Sequence, residues 1–326
     1  MKNLGKKILT SFILLTIASS CFSQLSITPI KRIKLNKRGI TYGQYSGITA
    51  INDTTFALVH DKSDSIFFIS VDKDFNIRYK GATKFDINGR DPEGIAFLQS
   101  TGTLFISGEE DQRVIEYNLD GERTGRELNI PEEFRPENRR RNAGFEALTY
   151  NKNTHRFWCT TEQGLKSDSI NIHRILCFDD ASLQPISEGV IYCTESFDEQ
   201  KCIKMRKKGK YANGISDILA LDDNTLIVME RELFIPKKNV GGWCTIRLYH
   251  FNPTNRDKKL LHEFTTHIYY TNLDFANYEG ITFGPKINGD TQTIMIINDS
   301  QGGAGNKLFK LKDYLKVYAI TKERMQ

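Results

Sequence analysis

Acidic residues recur along this sequence at two places in a repeated unit, and they are the side chains best suited to chemistry. Each unit opens with a small residue next to Ser, Asp or Glu and continues with apolar residues. The five openings are Ser46-Gly47-Ile48-Thr49, Glu93-Gly94-Ile95-Ala96-Phe97, Glu146-Ala147-Leu148-Thr149, Ser216-Asp217-Ile218-Leu219-Ala220 and Glu279-Gly280-Ile281-Thr282-Phe283. One hairpin later come His60-Asp61, Glu109-Glu110, Glu162, Glu230-Arg231 and Asp299. Carboxylates that repeat with the unit predict one place where the chemistry gathers.

A ring of carboxylates is electrostatically costly unless positive charge occupies it. Oxygen ligands without cysteine or clustered histidine suit a hard cation, so we expect Ca²⁺. Two other solutions stay open: carboxyl groups that remain protonated, or arginine partners, for which the candidates are Arg90, Arg139 to Arg141 and Arg231. A structural role also stays open, in which acidic side chains bind the backbone amides of neighbouring units.

The segments between these motifs indicate an all-β protein. They are short runs of β-branched and aromatic residues, such as Thr103-Leu104-Phe105-Ile106, separated by turn signals such as Asp222-Asp223-Asn224. Units of about four strands that recur at intervals of roughly 50–70 residues favour a single β-propeller. We expect six blades, with five or seven as alternatives. Ile27 to Leu35 would complete a blade begun by the C-terminal strands around Leu308 to Ile320, which removes two free sheet edges.

Hairpin register predicts that all units deliver their acidic groups to one mouth of the central channel. An antiparallel hairpin places Glu93 opposite Gly108, Ser46 opposite Val59 and Glu146 opposite Cys159. The first strand of each hairpin would then be the innermost strand of its blade. Inner strands approach one another closely, which accounts for the small residues Gly47, Gly94, Ala147 and Gly280.

The N-terminus predicts export. Three lysines precede an apolar stretch from Ile8 to Ala18 and small residues follow, which is the layout of a signal peptide over residues 1–23. Ala18-Ser19-Ser20-Cys21 also resembles a lipobox, so a lipid anchor at Cys21 stays open beside release. The propeller domain would span residues 24–326. The stretch is too short for a comfortable membrane span, and we expect a periplasmic, secreted or outer-membrane-anchored bacterial protein without a transmembrane segment.

The overall composition limits the classes of binding partner that we expect. The 45 basic and 40 acidic residues leave a net charge of only +5, so we expect no nucleic acid. We expect a monomer acting on a small molecule. The cysteines beyond Cys21 lack zinc-ligand spacing; Cys193 and Cys202 are the closest pair for a disulfide.

Four motifs carry a resemblance to a known family. Asp91-Pro92-Glu93-Gly94-Ile95-Ala96, Asn142 to Leu148, Gly214 to Ala220 with Val228-Met229-Glu230-Arg231, and Asn277 to Ile281 resemble the phytase-like family, described as having "esterase-like activity of phytase". The resemblance runs from about Gly43 to Asp299 and implies a β-propeller with recurrent acidic residues of a phosphoesterase-type site. Glu93, Glu146, Glu230, Arg231 and Glu279 match those recurrent positions, whereas Ser46 departs from them.

Together these observations predict a Ca²⁺-assisted phosphoester or ester hydrolase. The expected catalytic residues are Glu93, Glu146, Glu279 and Arg231, and the expected substrate-binding residues are Arg139, Arg141 and His60. The expected metal ligands are Glu93, Glu146, Glu230, Glu279 and Asp299. Two alternatives stay open: a non-catalytic propeller that binds a glycan, peptide or surface partner, and a lactonase-like metal-dependent hydrolase. No GxSxG, HExxH or P-loop motif is present.

Overall fold

Five antiparallel sheets of four strands make up the fold in the computed structural model. It describes residues 23–324 except 42, 88, 195–198, 239, 270–273, 290 and 306–309. Of the predicted signal peptide, residues 1–22 lie outside the described part, and with them the lipobox cysteine Cys21. None of the described helices is long and apolar enough to cross a membrane.

Each sheet is one blade, and its strands follow one another in the chain. Blade 1 holds β2 (Tyr45–Ala50), β3 (Thr55–His60), β4 (Ser65–Val71) and β5 (Ile77–Lys84). Blade 2 holds β6 (Pro92–Leu98), β7 (Thr103–Gly108), β8 (Val114–Tyr117) and β9 (Arg123–Glu127). Blade 3 holds β10 (Phe145–Asn151), β11 (Arg156–Thr161), β12 (Ile172–Asp179) and β13 (Val190–Cys193).

The last two blades have longer strands. Blade 4 holds β14 (Gly209–Ala220), β15 (Leu226–Pro236), β16 (Gly242–Phe251) and β17 (Lys258–Ile268), preceded by the helix α1 (Glu199–Lys208). Blade 5 holds β18 (Asn277–Ile287), β19 (Thr291–Asp299), β20 (Tyr314–Arg324) and, as its outer strand, β1 (Ser23–Lys34). Short 3₁₀ helices span Leu35–Arg38, Glu132–Phe134 and Pro136–Asn138.

The first strand of every hairpin is the innermost strand, as predicted. β2, β6, β10, β14 and β18 each contact the next around a closed ring that surrounds the channel. β1 pairs antiparallel with β20, from Ile27 against Ile320 to Ile33 against Leu315. The N-terminal segment therefore completes the last blade, and the predicted closure is confirmed.

The blade number differs from the favoured prediction. The described residues form five blades, which was an alternative, and not six. The wide sequence intervals that left room for a sixth blade are filled by α1 and by the strands of blade 4, which are 10 to 12 residues long. Longer strands lengthen the repeat without adding a unit, and the alternating pattern of a strand does not by itself show how long the strand is.

The hydrophobic core lies in the five interfaces between blades. Alternate residues of a strand point to opposite faces of its sheet, and both faces are covered here. On β3, Phe56 and Leu58 pack against blade 5, whereas Ala57 and Val59 pack against blade 2. This arrangement explains why the inner strands read as continuous apolar runs. No disulfide joins any two of the five described cysteines, so the predicted pair of Cys193 and Cys202 is not bridged, and Cys193 is the exposed one.

A β-bulge interrupts every inner strand where the motif carries its acidic or serine residue. The extra residue is Ser46 in blade 1, Glu146 in blade 3, Ser216 in blade 4 and Glu279 in blade 5. In blade 2 the irregularity lies between Pro92 and Ile95 and therefore contains Glu93. A bulge bends its strand and changes the direction of a side chain, so these five equivalent bulges orient the motif residues together.

Because of these bulges, the observed register differs from the predicted register by one or two residues. Gly47, not Ser46, lies opposite Val59, and Leu148, not Glu146, lies opposite Cys159. In blade 2, Gly108 is opposite Pro92 and not Glu93. The predicted direction is nevertheless confirmed, since each motif lies at the end of its inner strand where the second strand finishes.

The small residues after the bulges permit close contact between blades. A Cβ on Gly94 would lie 2.7 Å from the backbone nitrogen of Leu148 and 2.9 Å from the carbonyl oxygen of Glu146. A Cβ on Gly47 would lie 2.3 Å from the carbonyl oxygen of Glu93. These neighbours are backbone atoms of the next inner strand, which cannot move aside cheaply. The motif glycines therefore set the width of the channel.

Gly94→Val should destabilise the protein by about 1–3 kcal/mol, the usual cost of overpacking, because the new side chain pushes blade 3 away from blade 2. Chemical denaturation measures the effect. Gly102→Asn is the matched control, because Gly102 has open space around it and a φ of +69°, which Asn tolerates. Equal stability of the two variants would contradict the close-contact account.

Candidate active site

Arg231 is the central cation of the channel mouth. It lies on β15 and is only 5% exposed. Its guanidinium donates to Glu162 Oε1 at 2.5 Å and to Glu279 Oε1, and it approaches Glu146 Oε1 at 3.6 Å. It also donates to Asn277 Oδ1 at 3.2 Å. Since Glu146 and Glu162 belong to blade 3 and Glu279 to blade 5, these ion pairs connect three blades at the mouth.

Glu93 is the buried carboxylate that Arg231 does not reach. Glu93 is 7% exposed, and its side chain makes no hydrogen bond or ion pair with the described residues. Burial raises its pKa well above the ordinary value, and the nearby Glu146, Glu279, Asp61 and Glu109 raise it further. Both effects favour the protonated form of Glu93.

The other carboxyl groups at the mouth are perturbed in the same direction. Burial raises the pKa of Asp61 to about 6 and those of Glu109 and Asp299 to about 7. Burial also raises the pKa values of Glu146 and Glu279, although Arg231 opposes the shift in both. Asp61 Oδ1 is a buried atom with no hydrogen-bond partner among the described residues. The mouth therefore carries more negative charge than its buried cation balances.

Three carboxylates form a tighter group at the rim of blade 2. Oxygen atoms of Asp91, Glu109 and Glu110 lie within 4.8 Å of one another, which no other described set of three potential ligands does. The buried Arg90 holds the underlying loop, since it binds Asp111 at 2.6 Å and donates to the carbonyl oxygens of Ile106 and Arg113. Such support fixes ligand positions before a ligand arrives.

This rim cluster of Asp91, Glu109 and Glu110 fits a hard divalent cation. All its donors are oxygen atoms, which Ca²⁺ prefers. Positive side chains already approach two of them: Lys62 Nζ lies 2.5 and 2.6 Å from the two oxygens of Asp91, and Arg139 pairs with Glu110. Asp91 also has a φ of +52°, uncommon for a residue with a side chain. Glu109 accepts a hydrogen bond from the backbone amide of Gly144 at 3.3 Å, and the nearby Arg139 only partly opposes the rise in its pKa.

The structure brings most predicted site residues together but separates three. Glu93, Glu146, Glu279, Arg231 and Asp299 gather at the mouth. Glu230 points to the opposite face of β15, where it accepts hydrogen bonds from Tyr192 at 2.6 Å and Lys258 at 2.7 Å. It does not belong with the other expected metal ligands, because neighbouring residues of a strand face opposite sides. Arg139 lies at the rim with Glu110, and Arg141 faces a separate pocket.

His60 lies beside Asp61 in a largely apolar setting. Its Nδ1 accepts a hydrogen bond from the backbone amide of Lys62 at 3.1 Å, and its ring contacts those of Tyr45 and Phe67. Burial lowers its pKa, so the imidazole is neutral at physiological pH. It therefore offers no positive charge to an anionic substrate.

The structural role of an acidic residue is realised at Asp217. Its carboxylate accepts hydrogen bonds from the backbone amides of Ile218 at 2.8 Å and, in the next blade, Ile281 at 2.7 Å. Ser46 connects blades similarly by donating to the carbonyl oxygen of Pro92 at 2.7 Å. Ser46 is the bulge residue of blade 1, and Asp217 directly follows the bulge residue Ser216 of blade 4. The motif is thus structural in blades 1 and 4 and carries the Glu cluster in blades 2, 3 and 5.

Several residues of the site were absent from the predicted set. Asp91, Glu109 and Glu110 form the rim cluster, Glu162 pairs with Arg231, and Asp61 has one buried oxygen, Oδ1, without a hydrogen-bond partner among the described residues. Glu109, Glu110, Glu162 and Asp61 all follow the second strand of their blade, so the repeated follow-up position was the available signal. Lys62 and Asn277 carry no such signal, because only the folded geometry shows their contacts.

Comparisons with known proteins agree with this fold. The sequence profile of phytase-like proteins, described as "Esterase-like activity of phytase", matches residues 39–301. No curated protein matches the chain significantly. The tail fiber of Staphylococcus aureus phage P68 is similar with a TM-score of 0.50 at 10% identity, over 91% of this chain and 53% of that chain. This chain therefore spans about half of the tail fiber's length.

Two further solved structures are similar over nearly their whole length. A member of the duf4221 family from Bacteroides vulgatus matches with a TM-score of 0.46 at 10% identity, over 92% of this chain and 99% of that chain. A luciferin-regenerating enzyme matches with a TM-score of 0.44 at 10% identity, over 90% of this chain and 95% of that chain. Such low identities carry no conclusion about activity.

Arg231→Met should lower the free energy of unfolding by about 3–5 kcal/mol at pH 8, because it leaves buried carboxylates without their partner. The loss should shrink at pH 5, where glutamates protonate more readily. Denaturant titrations at both pH values test this. Arg113→Met, which removes an exposed ion pair with Glu127, should cost no more than about 1 kcal/mol. A loss at pH 5 as large as that at pH 8 would contradict the charge argument.

Glu109→Gln should become progressively more stabilising, relative to the wild type, between pH 5 and pH 8. The raised pKa of Glu109 means that the folded state binds more protons than the unfolded state above pH ~4.5, so ionisation costs stability as pH rises. The gain should reach on the order of 1–3 kcal/mol, since one pKa unit is worth about 1.4 kcal/mol. Denaturation in EDTA measures it, and Glu122→Gln, at the other end of blade 2, should show no trend.

Proposed function

The chain belongs to the phytase-like family, and from that premise we propose that it is a metal-assisted phosphoester hydrolase acting at the channel mouth. The carrying observation is the rim cluster of Asp91, Glu109 and Glu110 beside the buried, unpartnered Glu93. These groups combine a site for a hard cation with a carboxyl group suited to proton transfer. We further propose that the protein acts after export, as a monomer, on a small molecule.

The rim cluster would hold the cation. Asp91, Glu109 and Glu110 would supply oxygen ligands, and Lys62 and Arg139 would release their carboxylate partners as the cation takes over the charge. A bound Ca²⁺ would polarise a phosphoryl oxygen as a Lewis acid and make a water a better nucleophile. Extracellular calcium modules bind with dissociation constants on the order of 10⁻⁴–10⁻³ M, a range that suits an exported protein.

Glu93 and Asp61 are suited to opposite proton-transfer roles. Burial raises the pKa of Glu93 well above its ordinary value, which favours the protonated form that can donate to a leaving-group oxygen. The pKa of Asp61 is about 6, so it is largely ionised and can accept a proton from water. The negative charge of Asp61 is one of those that raise the pKa of Glu93. Two carboxyl groups whose pKa values are separated by their surroundings form an acid and base pair.

Arg231 would position the remaining carboxylates. By pairing with Glu162 and Glu279 and approaching Glu146, it holds them at the mouth in fixed places. These residues would border the space occupied by the substrate. Its guanidinium is engaged with carboxylates, so phosphate binding at the mouth would depend on the metal and on other cations.

The proposal predicts different losses for two sets of variants, one in the metal ligands and one in the proton-transfer groups. Glu109→Gln should abolish calorimetric binding of Ca²⁺ and hydrolysis together. Glu93→Gln and Asp61→Asn should bind Ca²⁺ but lose hydrolysis by at least about a hundredfold, the lower range for a positioned proton-transfer group. The substrate screen should include phosphomonoesters, phosphodiesters, carboxylic esters and lactones, with Glu122→Gln as the matched control that retains both properties.

Three outcomes decide among the candidate functions. Hydrolysis of a phosphoester that needs Ca²⁺ and Glu93 supports the proposal. Turnover of lactones alone would favour the lactonase-like alternative. Ca²⁺ binding without turnover of any of the four classes would contradict the hydrolase and leave the non-catalytic binding propeller.

A further inference from the structure

A second pocket adjoins the channel mouth between the loops of blade 3 and the helix α1. Its volume is about 180 Å³, and its polar wall includes Arg140, Arg141, Arg206 and Glu199. Ile170 and Cys202 form a buried apolar floor together with Tyr211. None of the carboxylates at the mouth lines it.

Two of its three guanidinium groups have no partner among the residues that the structure describes. Arg141 and Arg206 are exposed, and within the described part of the chain neither makes a hydrogen bond or an ion pair. Arg140, by contrast, is fixed by hydrogen bonds to the carbonyl oxygens of Gly164 at 3.0 Å and Asp168 at 2.8 Å. The one carboxylate of this wall, Glu199, is 4.0 Å from Arg140 and 71% exposed. The pocket therefore carries a clear excess of positive charge.

The lack of a carboxylate partner sets Arg141 and Arg206 apart from other arginines near the mouth. Arg90 is bound to Asp111, Arg139 to Glu110 and Arg231 to glutamates. A guanidinium presents a planar set of donors that matches the oxygens of a phosphate group, and it stays charged at every physiological pH. Several unpartnered guanidinium groups around one concavity are what a bound oxyanion requires.

The scaffold holds the arginines in place. Arg206 lies one helical turn after Cys202, which is only 1% exposed, so the buried face of α1 anchors the helix. Lys201, near the start of α1, pairs with Glu232 on β15 at 2.8 Å. On the opposite wall, Gln163 donates to Asn213 through its side-chain amide at 2.9 and 3.0 Å. Blades 3 and 4 thus brace the two sides of the pocket.

We propose that the pocket of Arg140, Arg141 and Arg206 binds a phosphate group directly, without a metal ion. Gln163 lines it and directly follows Glu162, the partner of Arg231, so the pocket and the acidic mouth are neighbours. The bound phosphate would then be a second phosphate of the substrate, an assignment that rests on the proposed function. The binding of phosphate to this pocket does not rest on the proposed function.

The test is a calorimetric titration of the full protein with inorganic phosphate in EDTA, so that no metal contributes. The wild type should bind phosphate. The double variant Arg141→Ala/Arg206→Ala should bind at least about tenfold more weakly, since a hydrogen bond to a charged group contributes about 1.5–3 kcal/mol. Lys207→Ala removes an exposed cation of α1 that does not line the pocket, and it should bind as the wild type does.

The outcomes separate this site from the hydrolase proposal. Glu109→Gln, which should lose Ca²⁺ binding, should keep its affinity for phosphate in EDTA. If hydrolysis is absent but phosphate binding depends on Arg141 and Arg206, the pocket stands and the proposed function fails. Equal phosphate affinity of the wild type and the double variant, or no phosphate binding by the wild type, would overturn the inference.

Discussion

The ion pairs of Arg231 are the interaction on which the channel mouth depends. One buried guanidinium from blade 4 balances carboxylates from blades 3 and 5, so the charge network also joins the blades. Burying such a network gives weak net stabilisation but makes the loss of any member costly. Arg231 pairs with Glu162 and Glu279. Glu93 and the rim cluster are therefore left without a buried cation as a partner. The excess of negative charge therefore has a definite location, at blades 1 and 2.

The five β-bulges orient the side chains of the repeated motif in the same way relative to the channel. Each shifts the register at the same level of the channel, and in blades 1, 2, 3 and 5 the glycine or alanine that follows lets the next inner strand approach. The position is used in two ways. At the bulge position, Ser46 binds the backbone of a neighbouring blade, whereas Glu93, Glu146 and Glu279 contribute charge. In blade 4 the residue after the bulge, Asp217, binds the backbone of the next blade. A single structural device thus supports both the closure of the ring and its acidic mouth.

The sequence was sufficient for the all-β propeller, the closing strand and the end at which the carboxylates meet, because these follow from period-two patterns and repeated motifs. It was insufficient for the bulges, since one extra residue leaves no mark in that pattern. The separation of Glu230 from Arg231 depends on the same register: a shift of one residue exchanges the faces. The rim cluster was missed because Asp91 meets Glu109 and Glu110 through a loop conformation with positive φ, which the residue types do not indicate.

The most direct test of this account is a crystal structure grown with Ca²⁺ and examined by anomalous diffraction. The account predicts one ion bound by oxygen atoms of Asp91, Glu109 and Glu110, with Lys62 moved away from Asp91 and Arg231 still paired with Glu162 and Glu279. An ion bound elsewhere at the mouth, or a rim cluster that keeps Lys62 on Asp91 and holds no ion at saturating Ca²⁺, would contradict it.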